Sequence, residues 1–326
     1  MKVYVVGSGA VGTFLGEALR ATPAEVAYAP RRLEDVTPVD ADLALVCVKA
    51  YDTADAIATL QRALGPTSEA TILTPQNGVG NEERLAAAFG ADRIVSCALT
   101  VPVERGSDGT IAPSKRGGIA LAPVGSIAHN WLVAAFERTG MPVKVTDDYR
   151  ALKWSKLALN TIANASCAIL NVLPGRLVKL DHMFSLEVRA IRETRAVMAA
   201  LGLTSVDLPR YPVRALQTVV KLPSPVAKVL LASRIAGARG RKPPSLLLDL
   251  RAGKGRTEID VLNGAVASAG RSLGVPVPVN AAFARVLADI AYMPQLWAKY
   301  RERPAALLAE VEAEEQRAAG VPARGT

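Results

Sequence analysis

KVYVVGSGAVGTFLGEALRA, residues 2–21, decides the fold. Five residues rich in valine read as a buried strand, and the glycines follow without a spacer. TFLGEALRA, 13–21, then has helical apolar spacing, and EVAYA, 25–29, reads as a second strand. A strand, a G-x-G-x-x-G turn, a helix and another strand make the βαβ unit of dinucleotide-binding domains. In that context Gly7 permits the tight turn, Gly9 lets the backbone approach a pyrophosphate, and Gly12 allows close helix packing. Ser8, Ala10 and Val11 complete the turn, whose amides face the anion at a helix N-terminus.

Further strand-like runs lie at 43–49, 70–74 and 93–101, separated by helical patterns at 53–64 and 81–88. This alternation predicts a parallel sheet covered by helices. Near residue 147 the texture changes to a helical one, with helices expected at 150–170, 183–201, 210–220, 245–252, 257–273 and 279–292. The expected architecture is α/β: a Rossmann-like parallel-sheet domain over 1–147, then an all-helical substrate and catalytic domain over 148–302. Residues 303–326 are expected to form a peripheral helix ending in the loose GVPARGT tail.

The residues after the second predicted strand decide which dinucleotide fits. An NAD site places Asp or Glu there to hold the ribose 2′-hydroxyl. This chain has Ala29, Pro30, Arg31 and Arg32, and a guanidinium fork suits a 2′-phosphate that a carboxylate would repel. NADP(H) is therefore the expected cofactor. Arginines that are simply solvated would look the same in sequence.

A formal charge of +9 invites a nucleic-acid reading. The densest basic stretch, 233–245, lacks the interleaved aromatics of a base-stacking surface, so small anionic ligands account for the charge and no nucleic-acid partner is expected. Cys47, Cys97 and Cys167 have no disulfide or zinc spacing and read as reduced core thiols, and no metal is expected. No apolar run approaches the ~18 residues that span a bilayer, and only four apolar residues separate Lys2 from Gly7. A cytoplasmic protein without membrane contact is the default expectation. The apolar faces of the helical half admit a homodimer or core packing equally.

With His129 and His182 the only histidines, acid-base chemistry is expected from another residue type. In KWSKLALNTIANA, 153–165, a continuous helix would stack Lys156, Asn160 and Asn164 on one face at steps of four. Asparagine is a poor helix former, so two in register with a lysine call for a reason. A polar stripe facing solvent is the plain alternative.

GSGAVG, VCVKAYDT (46–53), QNGVGNEE (76–83), KLALNTIAN (156–164) and SLLLDLRAGKGRTEIDVLNG (245–264), in this order, closely resemble the ketopantoate reductases, the 2-dehydropantoate 2-reductase family, over about residues 1–292. The resemblance implies reduction of 2-dehydropantoate to pantoate, on the way to coenzyme A, with a small anionic 2-oxo acid as substrate. It makes Lys156 the catalytic lysine, which chemistry alone also favours as proton donor. Asn160 and Asn164 become substrate-binding amides able to donate and accept without adding charge. Asn77 matches an asparagine near nicotinamide and substrate, Lys49 a cofactor-side lysine, and Arg31 the residue that meets the 2′-phosphate. Ser245 matches the serine that binds the substrate carboxylate, and Glu258 the acid that orients substrate and cofactor groups. A helix N-cap and a first-turn carboxylate are the plain readings of those two.

The chain departs from the family pattern in three places. The 32–42 segment is short, which abbreviates the adenine pocket. GKGR holds one residue more than usual before Glu258, and Pro174 replaces a substrate-contacting asparagine for which Asn171 is a candidate substitute. Another branched 2-oxo acid, an opine-type imine, or a non-catalytic NADP-binding regulator are the competing readings.

Overall fold

The structure is a computed structural model and describes residues 1–106, 108–113, 115–126, 128–239 and 242–319. The GVPARGT tail and residues 240 and 241 of the basic stretch lie outside the described residues. The first half runs β1 (Lys2–Val6), α1 (Ala10–Arg20), β2 (Glu25–Tyr28), β3 (Leu43–Val46), α2 (Thr53–Leu64), β4 (Thr71–Thr74), α3 (Asn81–Phe89) and β5 (Ile94–Leu99). It continues through β6 (Val103–Arg105), β7 (Ile111–Pro113), β8 (Ile119–Pro123), α4 (Asn130–Glu137) and β9 (Val143–Val145). The main sheet has the order β2-β1-β3-β4-β5-β8-β9. Strands β1 to β5 are parallel, as expected, but β8 pairs antiparallel with β5 and carries β9 parallel beyond it.

β1 shows why the sheet is buried on both faces. Val3 and Val5 enter one core with Leu15 and Leu19 of α1, while Tyr4 and Val6 enter the other with Ala56 and Leu60 of α2. Each fully buried valine or leucine contributes roughly 1.5 to 3 kcal/mol. Cys97 is fully buried, and burial pushes its thiol up to about 12, in keeping with an inert core thiol.

The second half is helical: α5 (Tyr149–Asn160), α6 (Ala165–Leu170), α7 (Pro174–Leu177), α8 (Asp181–Ala200), α9 (Val213–Val219), α10 (Ser224–Arg239), α11 (Ser245–Arg251), α12 (Asn263–Leu273), α13 (Pro278–Tyr292), α14 (Trp297–Tyr300) and α15 (Pro304–Ala318). α13 is its centre, packing against α6, α8, α12 and α15.

Packing divides the chain into two compact units, Met1–Lys156 with Val206–Pro212, and Leu157–Ser205 with Val213–Thr326. This division falls inside α5. Residues 206–212 return to the first unit because Val206 N donates to Ser155 Oγ at 2.9 Å and Thr100 Oγ1 donates to the Pro209 carbonyl at 3.0 Å. α15 belongs to the second unit, with Leu307 and Val311 buried and Glu310 bonded to Arg285, Lys299 and Tyr300. Burial raises the Glu310 pKa, but those hydrogen bonds outweigh it and hold the carboxyl at about 2. Among the described residues no helix is long and apolar enough to cross a membrane, and no His/Cys/Asp/Glu cluster suits a metal.

Candidate active site

Strand order reverses at β1, whose neighbours are β2 on one side and β3 on the other. The carboxyl ends of β1 and β3 therefore flank the crevice where open α/β sheets take ligands. Gly7, at φ +103°, lies so close to β3 that a Cβ would sit 2.8 Å from the Cys47 carbonyl carbon. A Cβ on Gly12 would sit 1.9 Å from the Gly7 oxygen. Gly9 is different: a Cβ there meets nothing within 4 Å, so the turn is open on its outer side. Ser8 precedes this open position, and Ala10 and Val11 begin α1. α1 has no side-chain cap and no acidic residue in its first turn, which leaves the N-terminal dipole for an external anion.

Arg31 and Arg32 differ in a way the sequence did not show. Arg32 is committed to the 3₁₀ turn Leu33–Asp35, donating to Asp35 at 2.9 Å and ion-paired with Glu34 at 3.6 Å. Arg31 is exposed and has no hydrogen bond or ion pair among the described residues. The short 32–42 segment is braced from α2, where Arg62 donates to the Val36 and Glu34 carbonyls. These features fit a dinucleotide with a 2′-phosphate: an open turn at a helix N-terminus, no carboxylate at residues 29–32, and an uncommitted guanidinium. Gly9→Ala should leave the melting temperature unchanged while weakening dinucleotide binding about 10-fold, because the new methyl enters ligand space and not protein. Differential scanning fluorimetry beside a dinucleotide titration checks it.

Lys49 caps the 3₁₀ turn Ala50–Asp52 just after β3. Gln76 straps this loop to the one after β4, its amide donating to the Val48 carbonyl at 3.2 Å and to Thr53 Oγ1 at 2.9 Å. Asn77 follows, half-buried, its carbonyl accepting from Asn81 Nδ2 at 3.1 Å. Sequence reasoning passed over Lys153 and Glu82, which form a buried ion pair at 3.0 Å under this loop. The signal was two charged residues inside otherwise apolar or motif-bearing stretches, KWSK and GNEE. Lys156, partly buried, is one turn further along α5.

In the second unit the expected helix over 150–170 is interrupted. α5 ends at Asn160, Ala163 adopts φ +49°, and α6 restarts with Asn164 at its N-cap. The cause is tertiary: the buried Glu187 of α8 accepts from Ala163 N, and this backbone bond holds a left-handed residue that a continuous helix would exclude. Asn160 stays one turn from Lys156 on α5, but Asn164 does not share their helical face. Its Oδ1 accepts from Leu246 N at 3.3 Å, which places Asn164 at the start of α11 beside Ser245. Ser245 is exposed at the first helical position, and Pro244 occupies the cap, so the N-cap reading of Ser245 does not hold. Glu258 is buried in a 3₁₀ turn, Glu258–Val261. Leu262 then breaks the expected 257–273 helix, because Asn263 turns in to bond Asn280 at 2.9 Å. Asn171, the candidate substitute for the missing asparagine, is a left-handed C-cap of α6 whose Oδ1 accepts from Arg251 at 3.0 Å.

Asn164→Ala should raise a Michaelis constant and also lower stability by about 1 kcal/mol through the lost cap. Ser245→Ala should raise the Michaelis constant alone. Thermal melts beside initial-rate kinetics separate the two.

The family models for "Ketopantoate reductase PanE/ApbA" and its C-terminal part match residues 26–126 and 148–291. The 2-dehydropantoate 2-reductase of Pyrobaculum aerophilum is 31% identical over 74% of this chain and 75% of its own. That of Halobacterium salinarum is 29% identical over 90% and 99%. A crystal structure of a PanE/ApbA family ketopantoate reductase from Ralstonia eutropha JMP134 superposes with a TM-score of 0.74 at 30% identity, over 90% of this chain and all of that one. With both halves matched and a relative above 30% identity over three quarters of its length, the chain belongs to the ketopantoate reductase family.

Proposed function

We propose that this protein is an NADPH-dependent reductase of 2-dehydropantoate, working on a small branched 2-oxo acid at the ketone. The observation that carries this reading is the anion-ready turn with an uncommitted Arg31 in the first unit; within the second, Asn164 bonded at the start of α11, the helix that Ser245 opens, supports it. Family membership over both halves supports it.

A bound NADPH supplies the hydride. Gly7, Ser8, Gly9, Ala10, Val11 and Gly12 hold the pyrophosphate, Arg31 the 2′-phosphate, and Lys49 and Asn77 the part nearer the reacting ring. Lys156 donates a proton to the ketone oxygen as charge develops there, and its own charge stabilises that oxygen beforehand. Asn164 has its Oδ1 taken by Leu246 N, so its amide NH₂ is the end that faces substrate as a donor. Asn160 adds a second amide, Ser245 offers its hydroxyl to the carboxylate, and Glu258 accepts from a substrate hydroxyl.

NADPH oxidation measured against a panel of 2-oxo acids tests the proposal, with 2-dehydropantoate expected to give the highest kcat/KM. Tight NADPH binding with no turnover of any member would overturn it in favour of a regulatory binding protein.

A further inference from the structure

Lys153 and Glu82 keep 2% and 1% of their side chains in contact with water. Burying two charges gives little stability over a well-packed apolar pair, because lost hydration roughly cancels their attraction. What else they touch is more informative. Lys153 Nζ also donates to the carbonyl of Gln76, the residue before Asn77. Glu82 Oε1 accepts from Ser96 Oγ of β5 at 2.8 Å. Two consecutive carbonyls of the loop are thus pinned, Gln76 from α5 and Asn77 from α3. Gly78 and Gly80 follow at φ +83° and +95°, so the loop has no regular backbone of its own to fix it. Lys153 lies one turn before Lys156, and a tether there stops α5 from sliding or rotating against the loop that carries Asn77.

We infer that Lys153, with Glu82 as its counter-ion, is a positioning residue that sets the spacing of Lys156 and Asn77 for proton delivery; this rests on the reductase reading above. Lys153→Met alone strands a buried carboxylate and is prone to misfold, so the decisive variant is Lys153→Met with Glu82→Gln, which removes both charges and leaves Ser96 an acceptor. The double variant should melt near the parental temperature and bind NADPH within about threefold, while kcat with 2-dehydropantoate falls at least about 10-fold and KM changes less. Amide hydrogen exchange over 75–80 should accelerate at least about 10-fold, with β1 to β5 unchanged. A pair with only a structural role would lower the melting temperature and leave the kcat of the folded protein alone. Parental kcat, or unchanged exchange in the loop, overturns the inference. If the parental chain itself turns over no 2-oxo acid, the reductase reading fails instead, and loop exchange alone decides whether Lys153 pins residues 76 and 77.

Discussion

Lys156→Ala should lower kcat by about 100-fold or more while NADPH affinity stays within about threefold. We propose Lys156 as the proton donor because the chain has two histidines and neither falls in a motif of the proposed site. Part of the value of a lysine at this position is the charge it brings to the developing alkoxide. Lys156→Arg therefore separates two roles. Guanidinium preserves the charge, yet it is larger, planar and releases no proton in this range, so it should restore little of the lost rate. The sign of the pH dependence follows from the direction of reaction. Ketone reduction consumes a proton, so the proposed active form carries one on its donor and kcat should fall toward alkaline pH. In the alanine variant that alkaline limb should vanish. Near-parental turnover by the alanine variant, or full activity of the arginine one, would send the search for the donor elsewhere.

The parts of this molecule that local chemistry dictates were legible, and the parts dictated from a distance were not. GSGAVG after KVYVV fixes a strand, turn and helix by the sterics of a few adjacent residues, and the structure shows the same elements with Gly7 and Gly12 in close approach to β3 and to each other. The break at residues 161–164 was hidden because its cause is Glu187 on α8, a partner no helical periodicity reveals. Asn164 still lies at the start of α11, the helix that Ser245 opens, but by accepting from Leu246 N and not by stacking above Asn160. The Lys153–Glu82 pair was missed for a similar reason: each residue reads as a solvated charge until the sheet brings α3 and α5 together. β8 and β9 escaped because IALAP and VKV are short and lack the repeating βα rhythm that announced the parallel strands.

Arg31→Asp should raise the Kd for NADPH about 100-fold while changing that for NADH less than about threefold, so the cofactor preference inverts. A charge-assisted hydrogen bond to the 2′-phosphate contributes roughly 1.5 to 3 kcal/mol, and the new carboxylate adds repulsion on top of that loss. The same carboxylate can accept from the free 2′-hydroxyl of NADH, which is the arrangement NAD sites use. Arg32 stands next door, but rescue from it is not expected. It is held by Asp35 and Glu34, and turning it toward a phosphate would leave both carboxylates facing the same anion. Arg32→Ala should accordingly alter NADPH affinity only a few-fold, through loosening of the Leu33–Asp35 turn. Salt gives an independent check: Arg31 is exposed, so parental NADPH affinity should weaken with ionic strength more steeply than that of the Arg31→Asp variant for NADH. Equal losses for both cofactors on Arg31→Asp would mean that Arg31 does not read the phosphate, and a selective loss on Arg32→Ala would move that role one residue along.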